Sequence, residues 1–99
     1  MTKSRLAKLR RQAAERQGWR CFYCGRPMVD GAVPGAEAPR SLPRLCTAEH
    51  LKARCEVGPD TAANIVAACW WCNSHRHRRK VAPTPEAWRE MVRGAVKVG

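Results

Sequence analysis

Two cysteine pairs with the same spacing, "CFYC" at residues 21–24 and "CWWC" at 69–72, are the densest chemistry in this 99-residue chain. Each Cys-x-x-Cys pair can span adjacent positions of a tetrahedral ion, and four soft thiolates are the donor set Zn2+ takes in closed structural sites. Cys21, Cys24, Cys69 and Cys72 are therefore read as one structural zinc site. Disulfides are the poorer reading, because the amino terminus shows no apolar secretory core and a reducing compartment is expected. A redox role is poorer still, since there are two pairs and no βαβ pattern around either. Cys46 and Cys55 are left as buried apolar thiols or a weak second pair, without an assigned role. The 44 residues between Cys24 and Cys69 exceed the roughly 15–20 of a plain zinc ribbon, so something is built between the knuckles.

That interval contains "TAEHLKARC" at 47–55, where Glu49 stands directly before His50. Beyond the second knuckle comes "CNSHRHRRK". If residues 69–80 are helical, Asn73 and His77 are four apart and share a face, while His75 points elsewhere. Glu49, Asn73 and His77 would then offer a carboxylate, an amide oxygen and an imidazole. Such a mixed set leaves positions open for water and substrate on a divalent ion such as Mg2+ or Mn2+, or on another divalent transition metal. His50 would remain a neutral imidazole able to take a proton from a water attacking phosphorus. Phosphodiester hydrolysis needs both an activated water and charge neutralisation at the leaving oxygen. Adjacent residues of a regular strand face opposite ways, so Glu49 and His50 can serve one site only at a strand end or a distortion.

The elements that must position these groups are legible from residue pattern. Residues 3–17, free of Gly and Pro and rich in helix formers, predict a basic helix ending near Gly18, with Leu6, Leu9 and Ala13 on one side. Residues 25–44 carry Gly25, Pro27, Gly31, Pro34, Gly35, Pro39 and Pro43 and predict irregular chain. Runs at 45–50 and 63–68 flank the turn signal Gly58-Pro59-Asp60 and predict two joined strands. A helix is expected from Cys69 toward Lys80, stopped by Pro83. Thr84-Pro85-Glu86 opens a last helix over 84–97, with Trp88, Met91, Val92, Ala95 and Val96 at core-packing spacing. Trp19 and Trp88 are read as packing residues, and at least one of Trp70 and Trp71 as core rather than a base-stacking platform.

Nineteen basic residues against eight acidic ones give a formal charge of +11 and a pI near 10.3, which points to a polyanionic partner, nucleic acid first. No stretch approaches the roughly 18 apolar residues of a membrane span, so a cytoplasmic protein is expected. The Arg-rich start could also be read as a transit peptide, though basic helices that bind nucleic acid share that composition. Arg54, Arg76, Arg78, Arg79 and Lys80 are placed to grip phosphates, with Lys8 and Arg11 and the helix neighbours Lys3, Arg5, Arg10 and Arg16. "HRHRRK" is equally a plain solvated basic turn.

The run "EHLKARCEVGPDTAANIVAACWWCNSHRH", with the paired knuckles, resembles the HNH endonuclease family over residues 21–80. The resemblance implies a small α+β fold in one domain spanning 1–99: a zinc-stapled ββα-metal core at 21–80 between an amino-terminal and a carboxy-terminal helix. It implies metal-dependent hydrolysis of DNA, double-stranded before other forms, with a structural Zn2+ and a catalytic divalent ion. By position, Glu49 resembles the acidic metal ligand and His50 the general base. Asn64 matches the middle asparagine that fastens the loop and orients the base. Asn73 matches the third motif residue, and His77 a further ligand of some members. The usual glycine pair is Val57-Gly58 here, and Asn replaces the third His, which leaves the ligand set open between Asn73, His77 or both. A bacterial or phage origin follows from the resemblance alone. The reading from a different class is a non-catalytic zinc-containing nucleic-acid binder, which needs only the knuckles and the charge.

Overall fold

The Gly- and Pro-free run at the amino terminus forms α1 (Thr2–Arg16) in a computed structural model that describes residues 2–31, 42–52 and 60–98. The helix stops at a Schellman turn. Gly18 takes φ +65, the Trp19 N–H donates to Ala14 O at 2.7 Å, and the Gly18 N–H donates to Glu15 O at 3.2 Å. Glycine suits that position because a side chain strains the left-handed backbone. Trp19 follows at φ 59 and packs against the core.

β1 (Cys46–His50) and β2 (Ile65–Cys69) pair antiparallel, from Cys46 opposite Cys69 to His50 opposite Ile65. α2 (Trp70–His77) leaves β2 without a linker, and α3 (Pro85–Val98) follows after a short turn. α3 starts as its sequence requires: Pro85 is the first helical residue, and the Thr84 hydroxyl accepts from the Ala87 N–H at 3.2 Å. α2 ends at His77, short of Lys80, because Arg76 reaches forward to the Pro83 carbonyl and turns the chain toward α3. Two strands and a helix flanked by helices make the small α+β, ββα class expected from the residues.

α1 packs across both strands. Ala13 and Ala14 share a buried cluster with Ala67 and Ala68, and these small side chains let the helix backbone approach the sheet closely. Tyr23, Met28, Trp88 and Val92 fill the rest of that cluster. Gln17, just past α1, acts as a piece of third strand. Its Nε2 donates to Ala67 O at 2.8 Å while its Oε1 accepts from the Ala67 N–H at 3.0 Å. Cys46 is buried in the core, and its thiol is pushed up from its ordinary range by that burial. Cys55, Val57, Gly58 and Pro59, and with them most of the expected turn, lie outside the described residues, as do 32–41 of the expected irregular stretch.

Replacing Gln17 with Ala removes the partner of the buried Ala67 N–H. An unsatisfied buried donor costs about 1–3 kcal/mol, so a urea titration of Gln17→Ala should show a lower midpoint with an unchanged slope.

Candidate active site

The first knuckle is a tight turn. The Gly25 N–H donates to Cys21 O at 3.0 Å, and Gly25 sits at φ +76, where glycine is favoured. The second knuckle is the junction of β2 and α2: Cys69 ends the strand and caps the helix, its sulfur accepting from the Cys72 N–H at 3.5 Å. Strand pairing and the Phe22 N–H to Ala67 O bond of 3.0 Å bring the knuckles together. The four sulfurs of Cys21, Cys24, Cys69 and Cys72 lie within 4.8 Å of one another, and Cys24 to Cys69 is 3.9 Å. A tetrahedron with Zn–S bonds of about 2.3 Å has edges of about 3.8 Å. The donor set and spacing fit zinc.

The electrostatics of the cluster favour a dication as well. Contact with the Cys21 sulfur holds Cys24 well below the ordinary thiol range. The Cys24 sulfur pushes Cys21 up, but bonds from Cys69 and Cys72 bring it down to about 6. Contact with Cys21 and then Cys24 drives both Cys69 and Cys72 far up. Four crowded sulfurs thus share charge unequally by themselves, and a divalent cation lets all four be thiolates. α3 docks on the outside of this cluster: Arg89 Nε donates to Phe22 O at 3.1 Å, Arg93 Nε to Tyr23 O at 2.7 Å, and Trp88 Nε1 to Cys72 O at 3.1 Å.

Of the two residues between Cys21 and Cys24, Tyr23 reaches toward β1. Its hydroxyl donates to Glu49 Oε2 at 2.9 Å. Burial first, and the Glu49 charge second, push the phenol above its ordinary range, which keeps it a neutral donor. Arg76 Nη1 donates to the same Oε2 at 2.9 Å, and its Nε holds Pro83 O at 2.9 Å. The other oxygen, Oε1, faces His77 Nε2 at 2.9 Å. A carboxylate only accepts, so His77 carries its hydrogen on Nε2 in this arrangement. Glu49 is 2 % exposed, whereas the His77 side chain is 39 % exposed, so the pair opens to solvent through the imidazole.

Asn73 and His77 both reach β1 from α2. Asn73 Nδ2 donates to Thr47 Oγ1 at 3.0 Å and to Ala48 O at 3.2 Å, which sets the carbonyl Oδ1 at the amide's other end. His75 turns away to stack on Trp71, with ring centroids 4.0 Å apart. Trp71 is 42 % exposed and Trp70 half-buried, so neither is the core tryptophan expected of the pair; Trp71 instead lies between His75 and Trp88. His50 is the last residue of β1, and its Nε2 meets Asp60 Oδ1 at 2.6 Å. The Asn64 amide straddles Lys52, donating to its carbonyl at 3.0 Å and accepting from its N–H at 2.8 Å, and so pins the chain leaving β1.

Several basic residues are placed differently from the phosphate contacts expected of them. Arg76 is buried to 5 % exposure in the ion pair with Glu49, because a carboxylate in the core needs a counter-charge. Arg5 donates to Asp60 O, and Arg10 pairs with Asp30 at 3.3 Å. Arg54 lies outside the described residues. Lys8, Arg11, Arg78, Arg79 and Lys80 are exposed. Residue pattern passed over Tyr23 and Asp60. The usable signal for Tyr23 was its position inside a metal knuckle, where the turn fixes its direction.

The family model for HNH endonuclease matches residues 21–79, more than half of the chain. No curated protein and no solved structure matches it.

Stripping metal with a chelator should abolish the cooperative thermal transition seen by circular dichroism, with recovery on Zn2+ but not Mg2+; an unchanged melt would detach the metal from the fold. Arg76→Ala leaves the buried carboxylate uncompensated and should cost about 3–5 kcal/mol. Tyr23→Phe should cost about 1.5–3 kcal/mol, as for one hydrogen bond to a charged group. Equal losses in a denaturant series would contradict this ranking.

Proposed function

The chain belongs to the HNH endonuclease family, and we propose that it hydrolyses phosphodiester bonds of DNA, double-stranded before other forms, with a divalent ion held by Glu49 and His77. The observation that carries this reading is the 2.9 Å between Glu49 Oε1 and His77 Nε2. At that separation the carboxylate oxygen and the imidazole nitrogen could both serve one divalent ion, with Nε2 giving up its hydrogen to offer a lone pair. Oε2 is already held by Arg76 and Tyr23, so the carboxylate is aimed and Oε1 is the oxygen left to bind metal. Asn73 Oδ1 is the proposed third donor. Mg2+ or Mn2+ suits a set dominated by oxygen, and another divalent transition metal suits the imidazole. When bound, the ion neutralises charge at the phosphate and at the leaving oxygen.

The remaining work falls to the chain's own residues. His50, at the end of β1, takes the proton from the attacking water. Asn64 fixes the backbone just beyond it through both polar groups of Lys52. Because His50 terminates its strand, the site can lie past the sheet edge, where adjacent residues are not confined to opposite faces. Exposed Lys8, Arg11, Arg78, Arg79 and Lys80 position the backbone without reading bases, so intrinsic sequence preference should be low.

One observation favours the non-catalytic alternative: Glu49 already has Tyr23, Arg76 and His77 around it, a set sufficient to make it purely structural. Supercoiled plasmid separates the two. The zinc-loaded parent should nick it with Mg2+ or Mn2+, and His50→Ala should cut about 10²–10⁴-fold more slowly while binding DNA normally. Plasmid left intact by the parent across a series of divalent ions would leave only a zinc-containing binder, and normal cutting by the variant would displace His50 as the base.

A further inference from the structure

The His50 ring is held by a second acidic group, distinct from the one that faces α2. Its Nε2 is 2.6 Å from Asp60 Oδ1. The side chains are 16 % and 30 % exposed, so the contact is shielded on the histidine side and reachable by solvent on the other. Asp60 is itself anchored. Arg5, from α1, grips its backbone oxygen with Nε at 3.3 Å and Nη2 at 3.1 Å. The residue after it, Thr61, offers its carbonyl to the N–H groups of Asn64 and Ile65, each at 3.0 Å, which ties Asp60 to the start of β2. The imidazole therefore sits between two fixed stretches of chain, the Asn64–Lys52 clasp behind it and the Arg5–Asp60 support across from it.

We infer that Asp60 is the positioning residue of the hydrolytic base, holding His50 as the tautomer protonated at Nε2 and leaving Nδ1 to receive the proton of the attacking water. The inference rests on the nuclease reading given above. Its logic is one of donors and acceptors. A carboxylate oxygen only accepts, so the hydrogen of this contact belongs to Nε2. A neutral imidazole carries one hydrogen, so its Nδ1 is then a lone pair. In the step itself a water O–H bond breaks and its proton passes to Nδ1. The water oxygen forms the new bond to phosphorus as the bond from phosphorus to the leaving oxygen breaks, and that oxygen later takes a proton from solvent. The imidazolium so formed faces the Asp60 carboxylate, which stabilises it where it arises. Sequence pattern placed Asp60 only in a turn, because an aspartate after Gly-Pro is ordinary turn chemistry.

Asp60→Asn tests this directly. The amide is nearly isosteric and leaves the backbone oxygen for Arg5, but it carries no charge and can turn an NH2 toward the ring, which favours the other tautomer. With the parent and His50→Ala run alongside on plasmid, kcat of Asp60→Asn should fall about 10- to 100-fold, with KM for DNA and melting temperature unchanged. Nicking at the parental rate would overturn the inference, and so would a loss confined to KM or accompanied by a lower melting temperature. Long-range nitrogen–proton NMR on the parent reads the tautomer without any turnover. A proton on Nε2 of His50 is expected, and a proton on Nδ1 would overturn the inference. If the parent failed to nick while the NMR gave Nε2–H, the nuclease reading would fall and the Asp60–His50 pairing would stand.

Discussion

A carboxylate almost wholly removed from water is the constraint around which this small fold is arranged. Glu49 sits on a short strand at 2 % exposure, and an ionised group there is tolerable only if its lost hydration is replaced by donors in good geometry. Those donors come from two separate parts of the chain. Tyr23 arrives from the first cysteine knuckle, and Arg76 and His77 from α2. The division is asymmetric. One oxygen takes the two fixed donors, while the partly exposed imidazole lies nearer the other, at 2.9 Å against 3.2 Å. A group that is costly to bury thereby becomes a group whose direction is fixed to within a hydrogen bond.

The cysteine cluster matters to this site through geometry more than through proximity. Tyr23 lies between two cysteines of the cluster, so the turn that closes the knuckle also decides where the phenol points. Cys69 is at once the end of β2, the cap of α2 and a member of the cluster, so the same residue sets the start of the helix that carries Asn73, Arg76 and His77. α3 puts Trp88 and Val92 into the core and clasps the knuckle carbonyls with two arginines and a tryptophan N–H.

The readable part of this architecture was the part carried by spacing. Paired Cys-x-x-Cys, a Gly after a helix, a Thr-Pro before one and two short apolar runs each have a local cause, and the corresponding elements lie within a few residues of where pattern puts them. Arg76 shows why the rest was hidden. In "HRHRRK" it is one cation among several, and only the tertiary fold reveals that it, with His77, faces a buried carboxylate. Asp60 is hidden for a similar reason, since its partner His50 is ten positions away across a turn and its support, Arg5, is on another helix. Contacts that are local in space and remote in sequence leave no periodic trace.

The two strands would, by themselves, form an incomplete sheet with both margins open, a template on which another chain could add. Each margin is instead closed from within. Gln17 and the Phe22 N–H occupy Ala67 on one side, and on the other Val29 accepts from the Cys46 N–H while Asn73 takes Ala48 O. Side chains and loop backbone thus act as surrogate neighbours that offer no further row of free amides. A two-stranded sheet terminated in this way leaves little template for amyloid-like stacking of one copy on another.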